Sequence, residues 1–464
     1  MILPRLIIAD EHRPGKISAG ILIAVVLKEM GYKLKLFMGN IDEASMRALQ
    51  VLCNQPVTLL DPTLCDGRAN LRWLFQNVAS PDCMNLILTN LGSKWSEDSA
   101  FRIPRECLKL AEYLECELMP ILYSDTSSTI TVRAVTEIIR QFENKQLYNI
   151  HSIMFKSVLN NREFELLDRE IGRQTSAVTI GSIPKRLERD QPLVTDLCAA
   201  GSTQAALPIR SSAMQLKSLE HMVKWALFNA LSKTNQEWKP QVKLCDPISD
   251  AGRVNIAVVR YPSLTLGGDG TEHLMRTLGC NVVDVPLDGV VSHSVPIHGV
   301  YIPHGLAYTG IDKFFGNLYL KTMLKRGATG NSFLLAEGGS TPMLGSGITL
   351  PPTFGEDRER RGFSILPYDA VYNASVFGAP QRAMAVSRTA NPFISGSQEV
   401  VWGYFSPNLS LFPHAPDDEC WELKESFDGK LINLDAWCKG RILASRMRLE
   451  PWSAPESFRR WLEG

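Results

Sequence analysis

The chain has 464 residues, enough for two or three domains that each bury a core. Its 49 basic and 49 acidic residues cancel, which removes the argument for a general nucleic-acid or anionic-membrane binder. Hydrophobic content of 45% is ordinary for a globular protein, and no apolar run is long enough to cross a bilayer.

The opening MILPRLIIAD reads as a β-strand rather than a secretory signal, because no small-residue cleavage site follows an apolar stretch. Ten cysteines form no CxxC pair, so neither a zinc ribbon nor a disulfide framework is expected. Reduced thiols in a cytoplasmic protein are the expectation. Residues 5–9 (RLIIA) form a short strand, 10–14 a loop, and Gly15-Lys16-Ile17-Ser18 opens an amphipathic helix that Gly31 ends. Residues 33–38 make the next strand. Strand, Gly-Lys loop, helix and strand is the layout of a phosphate-binding βαβ unit. Gly15, Lys16 and Ser18 are the candidate nucleotide-binding residues. Ile17 stands where the first hydroxyl would hold magnesium, and Asp10 and Glu11 bring carboxylates where phosphate would be repelled. A structural βα turn is the competing reading.

Further strands are expected at 84–91, 118–125, 149–157 and 177–183, with a helix near 132–142 between them. Short apolar strands alternating with helices predict a mainly parallel sheet. Residues 184–208 read as irregular and 214–232 as one amphipathic helix. The polar, proline-containing stretch 233–253 is the expected linker between a first domain, 1–232, and a second, 254–464. In the second domain, 254–260, 280–286, 299–303 and 333–336 read as strands, and 270–278 and 311–326 as helices. Strand 333–336 runs into Glu337-Gly338-Gly339-Ser340, a small-residue turn of the kind that presents a nucleophile with backbone N–H groups around it. Residues 362–410 hold short strands (FSILPY, AMAVSR, VVWGYF), and the C-terminal RLEPWSAPESFRRWLEG reads as a small capping helix.

Over nearly its whole length the chain resembles the cobyrinic acid a,c-diamide synthases and the related enzymes that amidate nickel-sirohydrochlorin and sirohaem. RLIIADEHRPGKIS lies where that family has a strand and GTSSGVGKTT. KLKLFMGNID resembles VQPFKVGPDYID, and LLDPTLC resembles NLDPW. LYSDTSSTI resembles the family's strand ending in an Asp before small residues, and VTIGSIPKRLE resembles VLGxLPR. YIPHGLAY resembles LPGGYPE, LLAEGGSTPMLGS resembles AECGGLMYLG, and VVWGYFS falls at RGHEFHYS. The resemblance implies an α/β fold with a dethiobiotin-synthetase-like, P-loop-like parallel-sheet domain followed by a class I glutamine amidotransferase-like domain. It also implies ATP and magnesium as cofactors, with Asp42 and Asp125 as candidate metal or nucleotide ligands; both residues read equally well as caps and turn residues.

The departures fall at the family's chemical residues. Its glutaminase Cys corresponds to Gly338, its catalytic His falls in Trp402-Gly403-Tyr404-Phe405, and its oxyanion Gly-Gly corresponds to His304-Gly305. His414 reads as a surface residue, and Ser340 with His304 does not rebuild the set that amide hydrolysis needs. The family's acidic magnesium ligand falls near Leu88-Thr89, where no carboxylate stands. Glutaminase activity is therefore expected to be absent. Three functions stay open. One is a non-catalytic homologue, within cobalamin-type biosynthesis, that binds a tetrapyrrole or an amidating partner subunit. The second is an ATP-dependent, ammonia-using carbon–nitrogen ligase acting on a tetrapyrrole carboxylate. The third is a recruited scaffold, in which Trp437, Met447, Trp452 and Trp461 would face a partner; residues of this kind are more often simply core. None involves nucleic acid or a membrane, and each is compatible with an oligomer.

Overall fold

The structure, a computed structural model, describes residues 1–11, 17–92, 103–124, 128–144, 150–189, 203–219, 222–234, 236–289, 295–329, 332–374, 380–394, 396, 399–415, 418–426 and 428–464. These fall into two compact units, Met1–Thr63 with Val78–Gln241 and Leu64–Asn77 with Val242–Gly464.

In chain order, the first stretch runs β1 (Arg5–Asp10), α1 (Ala19–Glu29), β2 (Leu34–Met38), α2 (Glu43–Cys53), β3 (Val57–Leu59), α3 (Arg68–Val78) and β4 (Met84–Asn90). It continues with α4 (Arg105–Leu114), β5 (Leu118–Tyr123), α5 (Ser128–Asn144), β6 (Ser152–Val158), α6 (Asn161–Gln174), β7 (Val178–Pro184), α7 (Arg186–Arg189), α8 (Thr203–Ser218) and α9 (Trp225–Ser232). The seven strands make one sheet in the order β3-β2-β4-β1-β5-β6-β7. Every described pairing in it is parallel, as short buried strands separated by helices require. The chain turns from one side of β1 to the other between β4 and β5. The binding crevice of an open α/β sheet lies at the carboxyl ends of the strands beside such a reversal.

Helix α1 departs from expectation. It begins at Ala19, and residues Ala19 through Leu27 are all buried, so it is apolar all round rather than amphipathic. The reason is α8, which packs against α1 and covers the face that would otherwise meet water. Gly31 at φ +89° ends α1, a conformation that costs an L side chain about 1–2 kcal/mol. The expected single helix over 214–232 is two. Between α8 and α9 the chain drops into the sheet, where Val223 bridges Gly181. A Cβ on Gly181 would overlap the Met222 carbonyl, so only glycine admits that close approach.

The segment Leu64–Asn77 belongs to the second unit, away from its neighbours in sequence. Trp73 of α3 stands edge-on to Trp452 with ring centroids 5.1 Å apart, and Asn70 Nδ2 donates to the Ser453 carbonyl at 3.4 Å.

The second unit holds β8 (Asn255–Arg260), α10 (Gly270–Thr277), β9 (Asn281–Pro286), β10 (Gly299–Ile302), α11 (Ile311–Gly316), α12 (Leu318–Thr329) and β11 (Phe333–Glu337). The expected helix over 311–326 is thus two helices meeting at Asn317. Then come β12 (Gly347–Thr349), β13 (Glu359–Arg361), β14 (Tyr368–Tyr372), β15 (Gln381–Ser387), β16 (Val400–Phe405) and β17 (Leu409–Pro413). The chain ends with β18 (Trp421–Lys424), β19 (Leu431–Asp435), β20 (Trp437–Lys439), β21 (Ile442–Ser445), β22 (Arg448–Glu450) and α13 (Pro455–Glu463).

Its main sheet has the order β20-β21-β11-β10-β8-β9, parallel except for β20 against β21. A four-stranded sheet (β13-β12-β14-β17) and an antiparallel five-stranded sheet (β19-β18-β15-β16-β22) complete the unit. Val300, Ile302, Leu334, Ala336, Leu344, Tyr368 and Trp437 belong to one continuous core, so the strand ends that carry the turn after β11 are held by packing. Trp437, Met447, Trp452 and Trp461 are all core residues, at most 2% exposed. They are not presented to a partner. Among the described residues no helix is long and apolar enough to cross a membrane.

A closed elbow in place of a nucleophile

In the first unit, the carboxyl end of β1 meets the start of α1. Asp10 Oδ2 accepts the Ala19 N–H at 2.6 Å, so a carboxylate of the chain itself sits at the helix N-terminus where a phosphate would sit. Ser18 is the N-cap residue, and its Oγ accepts the Ile21 N–H at 3.2 Å. Lys156 of β6 reaches across and pairs with Asp10 Oδ1 at 2.6 Å, both side chains only 3% exposed. The same ammonium donates to the Glu11 carbonyl and lies 4.1 Å from the Tyr123 ring centroid. Glu11 Oε2 accepts the Tyr123 N–H at 2.9 Å.

A buried anion and cation therefore neutralise each other at the crevice beside the strand reversal. The described residues here do not fit a triphosphate, because Asp10 already holds the helix donor and would repel it. Gly15, Lys16 and Asp125 lie outside the described residues. Asp42 is the N-cap of α2, with Oδ1 accepting the Ser45 N–H at 2.9 Å. Among the described residues no group of three or more His, Cys, Asp or Glu side chains is arranged to hold a metal.

In the second unit, β11 ends at Glu337 and the chain turns through Gly338 at φ +57° into a short 3-10 helix, Gly338–Leu344. A sharp left-handed turn at a strand end is the geometry expected of a nucleophile elbow. The imidazole of His304, just past β10, fills the space a side chain would take. A Cβ on Gly338 would overlap Nδ1 of His304, and that nitrogen accepts the Gly339 N–H at 3.0 Å. The N–H following an elbow nucleophile is one of the donors that stabilise an oxyanion. Here it is already bonded. With Nδ1 accepting, the ring proton of neutral His304 is on Nε2. Ser340 is fully buried, and its hydroxyl donates to the Pro303 carbonyl. Thr341 Oγ1 donates to the Ser445 carbonyl at 2.5 Å. Both hydroxyls thus serve the backbone. His414 lies at the surface beside Asp369, with Nε2 3.3 Å from Oδ2.

Three further elements close over the elbow. Tyr404 of β16 stands perpendicular to His304 with ring centroids 5.8 Å apart. Arg448 and Glu450, two apart on β22 and so on one face of the strand, form a fully buried ion pair. Tyr301 of β10 donates its hydroxyl to Glu337 Oε1, and Glu337 Oε2 accepts the Leu449 N–H at 2.9 Å. Burial, then the neighbouring Glu337 charge, holds the Tyr301 phenol well above its ordinary range. Burial likewise raises the Glu450 carboxyl, and Arg448 offsets part of this. Burial opposes the Arg448 charge, but Glu450 leads the groups that hold it above its ordinary value. The arrangement contains a phenol locked in its protonated form, a paired guanidinium and an imidazole bonded to the backbone. Among the described residues of this arrangement none is a cysteine, and the Ser340 and Thr341 hydroxyls are both bound to backbone carbonyls.

The residues singled out from sequence at the elbow, Glu337 to Ser340, do come together with His304 and Tyr404. Lys156, Tyr301, Arg448 and Glu450 also belong to these two places and carry no motif in the sequence. The signal for Lys156 was a single charge inside the apolar strand SIMFKSV. For the ion pair it was two opposite charges flanking Leu449 at a spacing of two.

No family model and no curated protein sequence matches the chain. Among solved structures it is similar to PurLQS from Thermotoga maritima, at 11% identity over 45% of this chain and 98% of that one, with a TM-score of 0.33. A protein from Thermoplasma acidophilum described as a GMP synthase subunit matches at 15% identity over 45% and 92%, TM-score 0.30. A glutamine amidotransferase from Thermotoga maritima matches at 11% over 46% and 81%, TM-score 0.30.

Proposed function

We propose that this protein is a non-hydrolysing relative of the tetrapyrrole amidotransferases, which binds a tetrapyrrole or serves an active amidating subunit. The observation that carries the non-hydrolytic part is the His304 imidazole in the side-chain space of Gly338. Glutamine hydrolysis needs a nucleophile at the elbow and an unoccupied N–H beside it. One imidazole excludes the first and engages the second. Conversion to this state goes beyond loss of a cysteine, since Tyr404, Arg448 and Glu450 pack the same place with an aromatic ring and a buried ion pair. The tetrapyrrole part rests on the sequence resemblance. Its motifs run the length of the chain in order, while departures concentrate at the chemical positions. Acting instead as an ATP-dependent ligase would require phosphate at the N-terminus of α1, where Asp10 now sits.

Two assays on the purified full chain test this. Ammonia release from glutamine should equal the buffer background, and measurable turnover overturns the non-hydrolytic reading. Absorbance titration with sirohydrochlorin and with cobyrinic acid should saturate with one of them at micromolar concentration. Saturation with neither overturns the tetrapyrrole assignment and leaves a protein partner, an amidating subunit or another, as the ligand to seek.

A further inference from the structure

Strands β10 and β11 lead into His304 and Gly338 at their carboxyl ends, and their amino ends border a separate cavity. Gly299 and Phe333 are paired at those amino ends, and helix α12 packs against both strands. The cavity between helix and strands has a volume of about 380 Å³, inside the range of about 300–1,000 Å³ usual for small-molecule sites. Its floor is apolar, with Val300, Met323, Phe333 and Leu334 all buried. Tyr319, Arg326 and Ser332 bring polar groups to it. Gly327 of α12 lines it too. That residue is buried, yet a Cβ on it would meet no atom within 4 Å. Glycine inside a helix is unfavourable, and a close backbone approach or a left-handed conformation is the usual reason to find one there. Neither holds at Gly327. What its missing side chain leaves is room in the cavity. Helix α12 also carries Lys321, Lys325 and Arg326 and no carboxylate, and among the described residues none of the three has an ion-pair partner.

We propose that this cavity binds a small amphipathic carboxylate, one acid group on an apolar body, with the Arg326 guanidinium holding the acid group. The apolar body displaces water from Val300, Met323 and Phe333, and the gain grows with the apolar area covered. The guanidinium offers a fork of N–H donors that matches a carboxylate. The Tyr319 and Ser332 hydroxyls, neither bonded to a described residue, are further donors at the same cavity. Lys321 and Lys325 add positive field, which outweighs the partial negative charge at the C-terminal end of the helix. A neutral apolar ligand would leave the guanidinium unused, and inorganic phosphate would leave the apolar floor in water. The site lies at the opposite end of β10 and β11 from the elbow, and it does not rest on the tetrapyrrole reading.

Calorimetric titration of the full chain with octanoate tests this, with octanol as the neutral counterpart. Octanoate should saturate at one molecule per chain, and octanol should bind about tenfold more weakly or not at all. Arg326→Gln should bring octanoate down to the level of octanol. Gly327→Leu should fill the cavity and abolish octanoate binding, while its thermal unfolding midpoint stays at or above that of the wild type. Arg326 is exposed, so its glutamine variant keeps the assay decisive if Gly327→Leu fails to fold. Three results overturn the proposal: no saturable heat up to about 5 mM octanoate, equal affinity for octanoate and octanol, or unchanged octanoate binding in a folded Gly327→Leu.

Discussion

His304 Nδ1 accepts the Gly339 N–H at 3.0 Å while standing where a Cβ on Gly338 would have to be. The turn is thus shaped for a nucleophile and filled by its neighbour. Gly338→Ala combines a left-handed backbone cost with an overpacked contact. It should destabilise the protein by about 2–5 kcal/mol in urea unfolding. Adding His304→Ala should return the overpacking share of about 1–3 kcal/mol. A neutral Gly338→Ala, or a double variant no better than the single, would contradict the steric account.

Installing the missing thiol should not restore chemistry. Gly338→Cys with His304→Ala provides a sulfur and frees the Gly339 N–H. The residue facing them is Tyr404, a phenol rather than a base. Ammonia release from glutamine is expected to stay at background, because a general base contributes about 10²–10⁴-fold and none is supplied. A glutamine-dependent rate well above background would show that another group accepts the proton.

The buried pair on β22 can be tested by comparing loss of one charge with replacement of both. Glu450→Gln leaves the Arg448 guanidinium unpaired at full burial and should cost about 3–5 kcal/mol. Arg448→Met together with Glu450→Leu removes both charges and should cost less than that single change. If the single and double variants lose the same stability, the pair is not what holds this corner.

How much of this could be read in advance depends on whether a residue's partners are local. The strands of both main sheets were legible because RLIIA, MNLILTN or FLLAE are apolar runs of strand length, and glycine turns bound them. The elbow was legible for the same reason. The all-round burial of α1 was not, since its cover, α8, comes from residues far along the chain. The transfer of Leu64–Asn77 to the second unit was equally hidden, because Trp73 finds its partner at Trp452. Lys156 is a lone charge in an apolar strand, and its partner Asp10 lies 146 residues earlier, out of reach of any local pattern.

That last pair predicts nucleotide behaviour. Calorimetric titration of the full chain with Mg-ATP should give no saturable heat, because the Asp10 carboxylate already holds the Ala19 N–H. Asp10→Asn keeps an acceptor for that N–H and removes the repelling charge. Should ATP bind the wild type at micromolar concentration, Asp10 must move aside, and the ligase reading would regain its footing.

Glu117 gives a pH dependence with a definite sign. Burial raises its carboxyl above the usual 4.5, against the opposing pull of His151 and hydrogen bonds from His151 and Ser152. The folded state therefore holds the Glu117 proton more tightly than the unfolded state. Between the unfolded value and the raised folded one, rising pH strips a proton that folding would keep, so stability falls across that window. Glu117→Gln keeps an oxygen for the His151 N–H, which Oε1 now accepts at 3.0 Å, and cannot ionise. Thermal unfolding of the variant and the wild type should give similar midpoints near pH 4.5, with the variant ahead at pH 8. Groups elsewhere titrate in both proteins and cancel in the difference. A difference that shrinks as pH rises would mean that the charged carboxylate is the form the fold prefers.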